Sequence, residues 1–174
     1  MKVYDGSQTE DTQEAKPQRL KVGIAEYQVT TEPSAILTTS GLGSCIGIGL
    51  YDEPSGAAGL VHIMLPTADD VEGGNRAKFA DTGVAELVEA LEDEGASKRT
   101  MKAKIAGGSD MLDFSENGSS IGSRNLEQVR ATLSEFDIPI TGEDVGGDHG
   151  RSLRLEADSG DLVVKSANTE SVVL

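Results

Sequence analysis

The sequence predicts an α+β fold, a layered α/β/β sandwich of mostly antiparallel or mixed sheet with two main helices. Two observations carry this prediction: about seven or eight short segments have strand-like alternation, and two longer segments have helical periodicity. A third is that the strands mostly follow one another as hairpins and do not alternate regularly with helices. The length of 174 residues fits one domain.

The first half of the domain is predicted to be almost entirely strand. Residues 1–19 hold few apolar side chains and are expected to form a disordered acidic leader, which leaves residues 20–174 as a single domain. Apolar alternation then predicts strands at residues 20–24, 35–39, 46–51 and 57–65. In the third of these, Gly47 and Gly49 alternate with apolar residues, so another layer is expected to cover their face closely.

Both predicted helices lie in the second half. Residues 75–94 carry an apolar stripe (Ala80, Val84, Leu87, Val88 and Leu91), with Asn75 as N-cap and Gly95 as stop. Residues 124–136 form the second helix, with Ser123 as its cap. Further strands are predicted at residues 101–105, 138–141, 153–156 and 162–165.

The charge balance excludes several classes of protein. With 30 Asp and Glu against 15 Lys and Arg, the net charge of −15 argues against nucleic-acid binding and against docking on anionic membranes. The acidic residues are dispersed, which is typical of a halophile's cytoplasm, where concentrated salt screens self-repulsion. No secretory signal or long apolar run is visible, so a cytoplasmic protein without membrane insertion is expected.

The single cysteine follows a glycine-rich bend, Gly41-Leu42-Gly43-Ser44-Cys45. Backbone N–H groups at Gly43 and Ser44 are candidates for stabilising an oxyanion. A hairpin turn centred between Glu53 and Pro54 would place Cys45 opposite His62, with Cβ atoms about 5 Å apart. A turn centred one residue later would make that contact diagonal.

A thiol beside an imidazole is the minimum for a nucleophile and its general base. The negative net charge opposes thiolate formation, so a cationic His62 is expected to assist it. The alternative is that Cys45 is a small core residue and that His62 is structural. Spacing alone leaves both alternatives open.

Four sequence blocks resemble the CheD family of chemoreceptor glutamine deamidases. The first runs from the Gly41–Cys45 bend to His62-Ile63-Met64-Leu65-Pro66. The others are Lys104-Ile105-Ala106-Gly107-Gly108, Ile121-Gly122-Ser123-Arg124-Asn125 and Gly146-Gly147-Asp148-His149-Gly150-Arg151. Departures from the family pattern are Ala106 for Phe, Ser123 for Glu and Asp148 for Asn.

The resemblance implies an α/β layered sandwich that hydrolyses glutamine side chains on methyl-accepting chemotaxis receptors. It implies Cys45, His62 and Thr39 as catalytic residues, no metal or organic cofactor, and the phosphatase CheC as a second partner. Two alternatives are a non-catalytic adaptor that binds CheC or receptors, and a methyl-esterase acting on the same receptors.

Overall fold

The computed structural model describes residues 18–68, 74–110, 120–167 and 169–174. Residues 1–17 of the expected leader lie outside the described residues. The first strand begins at Arg19. The described strands are β1 (Arg19–Lys21), β2 (Tyr27–Thr30), β3 (Ile36–Leu42), β4 (Ile46–Asp52), β5 (Ala57–Ile63), β6 (Met101–Gly107), β7 (Ile140–Val145), β8 (Arg151–Glu156), β9 (Leu162–Ser166) and β10 (Val172–Val173). The α-helices are α1 (Ala80–Asp93) and α2 (Ile121–Glu135).

The strands form two five-stranded mixed sheets, which confirms the predicted fold class. The central sheet has the order β2-β5-β4-β6-β7, and the outer sheet has the order β1-β3-β8-β9-β10. One face of the central sheet packs against both helices, and the other packs against the outer sheet. Two pairs are parallel, β1 with β3 and β6 with β7, so hairpins account for only part of the topology.

Alternation along β4 explains how three layers fit together. Ile46, Ile48 and Leu50 are fully buried against the helical layer. A Cβ atom at Gly47 would lie 2.3 Å from Leu153 Cδ1 of the outer sheet. The close cover predicted for the glycine face is therefore confirmed.

Both helix starts differ from the sequence prediction. The stripe of α1 is buried as predicted, but the helix begins at Ala80, because residues 76–78 form a 3₁₀ turn that Asn75 caps. Helix α2 begins at Ile121, and the Ser120 hydroxyl accepts a hydrogen bond from the Ser123 N–H, so Ser123 as cap was wrong. No helix in the described ranges is long and apolar enough to span a membrane.

Several strand predictions also need correction. Strand β1 stops at Lys21, and Ile24 is 55 % exposed, so the alternation there does not continue as a strand. Strands β2 and β10 were not predicted, because they span only four and two residues. Strand β2 lies at an edge of the central sheet, paired with β5.

Candidate active site

The bend that carries Cys45 joins the two sheets. Strand β3 of the outer sheet ends at Leu42, and strand β4 of the central sheet begins at Ile46. Cys45 is partly buried and packs against the apolar layer between the sheets. Its position at this crossing lets it face residues from either sheet.

Hydrogen bonds fix the carbonyl groups of the bend. The Ser109 N–H donates to the Gly43 carbonyl, and the Gly108 N–H donates to the Cys45 carbonyl, each at 2.9 Å. Among the described residues, the N–H groups of Gly43 and Ser44 donate to no partner. This pattern, with carbonyls held and N–H groups open, agrees with the predicted oxyanion-binding role, which stays a prediction.

Strand register relates Cys45 to His62. His62 lies opposite Gly47, so the β4–β5 turn is centred one residue later than the position that would put Cys45 directly opposite His62. Direct opposition was therefore wrong, and the register is the diagonal one, with Cys45 two residues before the partner of His62. The bond from Gly108 to the Cys45 carbonyl extends the β4–β6 ladder through Cys45, which keeps Cys45 on the same face as Gly47.

Thr39 and His62 come from different sheets and meet between them. Thr39 Oγ1 lies 2.8 Å from His62 Nδ1, and both side chains are buried. The Thr39 hydroxyl also donates to the Val22 carbonyl at 2.7 Å. A hydroxyl has one hydrogen, so Oγ1 must accept from the ring, and Nδ1 carries the proton.

This tautomer leaves His62 Nε2 with a free lone pair. Nε2 is buried and has no hydrogen-bond partner in the described part of the protein. A buried polar atom without a partner is costly and calls for an explanation. A proton acceptor awaiting a nearby thiol is such an explanation.

Burial makes both members of the Cys45–His62 pair neutral at rest. It raises the pKa of the Cys45 thiol, an effect partly opposed by the residue's own backbone N–H. Burial also lowers the pKa of His62. The imidazole is therefore neutral at rest, and not the cation that the sequence argument expected.

Asn125 was overlooked as a functional residue, although it belongs to one of the four motifs. Its side chain is fully buried, and Nδ2 donates to the Ser44 carbonyl at 2.9 Å and to the Met64 carbonyl at 2.8 Å. One amide thus ties the cysteine bend to the end of the histidine strand. An amide four residues before the buried Val129 was the available signal, because that spacing points it inward.

Glycines allow the loop after β6 to pack against the bend. Gly107 has φ of 119°, and a Cβ there would lie 2.3 Å from the Cys45 carbonyl oxygen. At Gly122 a Cβ would lie 2.4 Å from the Ser109 carbonyl oxygen. Arg151 adds a hydrogen bond to the Gly107 carbonyl at 3.4 Å. Residues of all four motifs therefore surround one bend.

In the described ranges, no group of three or more His, Cys, Asp or Glu side chains is placed so that it could hold a metal ion. His149 lies in the β7–β8 turn, 3.9 Å from the Asp148 carboxylate, and is partly exposed. The side chain therefore occupies a solvated loop position.

Comparison with known proteins adds independent information. Residues 64–166 match the family model described as CheD chemotactic sensory transduction, a segment that includes Gly107, Asn125 and Arg151 but begins after His62. The chain is 68 % identical to a probable chemoreceptor glutamine deamidase of Haloarcula marismortui, over all of both proteins. It is 44 % identical to a protein of the same description from Natronomonas pharaonis, over 90 % of this chain and 93 % of the relative. A Moorella thermoacetica relative of that description is 46 % identical, with 87 % and 92 % covered. The Haloarcula relative comes from a halophile, which agrees with the acidic composition.

Proposed function

The chain belongs to the CheD family, and we propose that it hydrolyses glutamine side-chain amides on chemoreceptors to glutamate and ammonia through a thioester on Cys45. The relatives' descriptions support the reaction, and the tautomer of His62 supports the chemistry. That tautomer is the observation that carries the mechanism, because it gives the base a free lone pair in a buried site.

The first half-reaction forms the thioester. The Cys45 thiol gives its proton to His62 Nε2 as sulfur attacks the amide carbon. The open N–H groups of Gly43 and Ser44 stabilise the negative charge that develops on the amide oxygen. As the carbon–nitrogen bond breaks, His62 returns the proton to the departing nitrogen, and ammonia leaves.

The second half-reaction restores the enzyme. Water attacks the thioester carbon, and its proton passes to His62 Nε2 as a second oxyanion forms in the same place. Collapse of this intermediate expels the Cys45 sulfur, which regains a proton from His62, and the product is a glutamate side chain. Thr39 accepts the Nδ1 hydrogen throughout and keeps the ring in one orientation.

Asn125 is a positioning residue in this scheme. It contacts neither the reacting atoms nor His62 itself, but it bonds the carbonyls of Ser44 and Met64. The Ser44 carbonyl shares its peptide unit with the Cys45 N–H, so this bond fixes the backbone directly before the nucleophile.

Intact mass of a purified cytoplasmic receptor fragment, incubated in high salt, tests the proposal. Wild type should produce the mass gain of amide-to-acid conversion, and Cys45→Ala should not. A mass unchanged by wild type, with the protein shown to be folded and bound, would refute the amidase. A mass loss on a methylated fragment would point to the methyl-esterase instead.

Partner and compartment complete the proposal. From the family resemblance we expect a cytoplasmic protein that also binds CheC. Titration of labelled Cys45→Ala protein with purified CheC tests this, because complex formation does not need the nucleophile. Absence of binding in high salt would remove CheC from the proposal and leave the amidase unaffected.

A further inference from the structure

A groove of about 680 Å³ on the outer sheet carries an unusual charge for this protein. Its lining includes four of the chain's 15 basic residues, Arg19, Lys21, Arg154 and Lys165. The described lining residues include no Asp or Glu. A chain with a net charge of −15 thus concentrates its scarce cations at one place.

Strand register brings these cations onto one face. Lys21 lies beside Thr38, and Thr38 lies beside Arg154, so the two cations flank one threonine on neighbouring strands. Lys165 lies opposite Ser152, one strand further across the sheet. Side chains in register share a face, which here is the one turned away from the core.

Most of this charge is unpaired within the described structure. Arg154 contacts the Glu156 carboxylate at 3.2 Å, and Glu156 lies on the same exposed face. Within the described ranges, Arg19, Lys21 and Lys165 form no ion pair. The exposed apolar side chain of Ile24 also lines the groove.

The groove adjoins the proposed catalytic residues. Val22, Thr39 and Gly41 all line it. The Thr39 hydroxyl donates to the Val22 carbonyl and accepts from the His62 ring, and Gly41 begins the bend that carries Cys45. The groove therefore reaches the strand ends that support the site, although neither Cys45 nor His62 is among its described lining residues.

We propose that this groove binds an acidic flank of the protein segment that presents the glutamine. The inference rests on the proposed function for the identity of that segment, and on charge complementarity for its chemistry. Lys and Arg pair with carboxylates, Arg in a planar fork, and Ile24 takes an apolar residue beside them. In concentrated salt the Debye length is about 3 Å at 1 M, so only direct contact pairs contribute.

Direct binding tests the groove independently of catalysis. The probe is a labelled helical peptide of Ala, Glu and one central Gln, with a twin in which Ser replaces every Glu. Binding is measured by fluorescence anisotropy in high salt on Cys45→Ala protein, so that no turnover occurs. The groove variant adds Lys21→Gln, Arg154→Gln and Lys165→Gln, and the control variant adds Lys98→Gln, Arg99→Gln and Lys102→Gln.

The groove variant should bind the Glu peptide about tenfold more weakly, since each exposed pair contributes modestly. The control variant, which has the same net charge, should keep the parent affinity, and the Ser twin should bind all proteins equally weakly. Thermal unfolding verifies that both variants fold, and Lys21→Gln alone serves as a milder variant, with a smaller loss expected. Equal affinity of groove and control variants for the Glu peptide overturns the inference.

Activity separates this inference from the proposed function. With Cys45 intact, the groove substitutions should raise KM on the Glu peptide and leave kcat unchanged. Glutamine hydrolysis with an unchanged KM would retain the amidase and reject the groove. Groove-dependent binding without hydrolysis of any receptor fragment would retain the groove and reject the amidase.

Discussion

Replacing Thr39 with Val tests the assigned tautomer of His62 most directly. The substitution keeps the shape of the side chain and removes the hydroxyl that accepts from Nδ1 and donates to the Val22 carbonyl. The ring hydrogen then lacks a buried acceptor, so the proton is free to move to Nε2. In the proposed mechanism, Nε2 is the atom that takes the thiol proton.

The structure sets the scale of the expected loss. Leaving a buried donor unsatisfied costs about 1–3 kcal/mol, and tautomer preference changes by a similar amount. At 1.4 kcal/mol per factor of ten, kcat should fall about 5- to 150-fold. Because the Val22 carbonyl also loses its donor, the free energy of unfolding should fall by about 1–3 kcal/mol.

Thr39→Ser is the matched control, because it retains the hydroxyl and loses only a methyl group. Glutamine hydrolysis gives kcat, and ¹⁵N NMR of labelled histidine reports which ring nitrogen carries the proton. A purely structural role for Thr39 would lower stability and leave the tautomer unchanged. Wild-type kcat in Thr39→Val, or equal losses in the Ser and Val variants, would refute the assignment.

Four further predictions concern the bend and the catalytic pair. Asn125→Ala should lower kcat more than it raises KM, since the Ser44 and Met64 carbonyls lose their donor; Gln128→Ala on the same helix is the control, and equal kinetics in the two would contradict a positioning role. Gly107→Ala should abolish activity and lower the unfolding temperature, because its Cβ would lie 2.3 Å from the Cys45 carbonyl oxygen, whereas Gly56→Ala meets open space and is the control for strain from positive φ. Alkylation of Cys45 by iodoacetamide should accelerate only as pH rises past the ordinary thiol value of about 8.5, because burial raises the pKa of this thiol. Activity should persist to pH below about 6.5, because neutral His62 is the base and its pKa is lowered; an alkylation rate already at its plateau at neutral pH would instead show a thiolate–imidazolium pair.

The fold was predictable where the apolar residues of a segment repeated with the full period of a strand or a helix. The alternation of Ile46, Ile48 and Leu50 with glycines predicted both the strand and its close cover, because each face of β4 meets a different layer. Strand β2 was missed because the alternation of Tyr27 and Val29 with Gln28 and Thr30 spans only four residues. Helix α2 begins earlier than predicted because Ser120, which caps it, precedes a turn without strong apolar periodicity.

The site was predictable only in part, because some of its residues come from segments that are distant in sequence. One hairpin carries both Cys45 and His62 with their positions in diagonal register, so local spacing was enough to suggest the pair. Thr39 comes from the other sheet, and only the family resemblance pointed to it. Asn125 reaches the bend from a helix distant in sequence; its spacing from Val129 indicates an inward side chain but not the carbonyls that it bonds.

In the proposed mechanism, the hydrogen bond between Thr39 and His62 means that the two sheets must dock before catalysis is possible. A compact folding intermediate that keeps its strands but has not closed the layer between them would lack this bond. Its cysteine would be accessible to oxidants and its histidine free to rotate, yet the amidase would be inactive. During refolding, activity should therefore return only when the two sheets dock. That step should come later than the recovery of secondary structure.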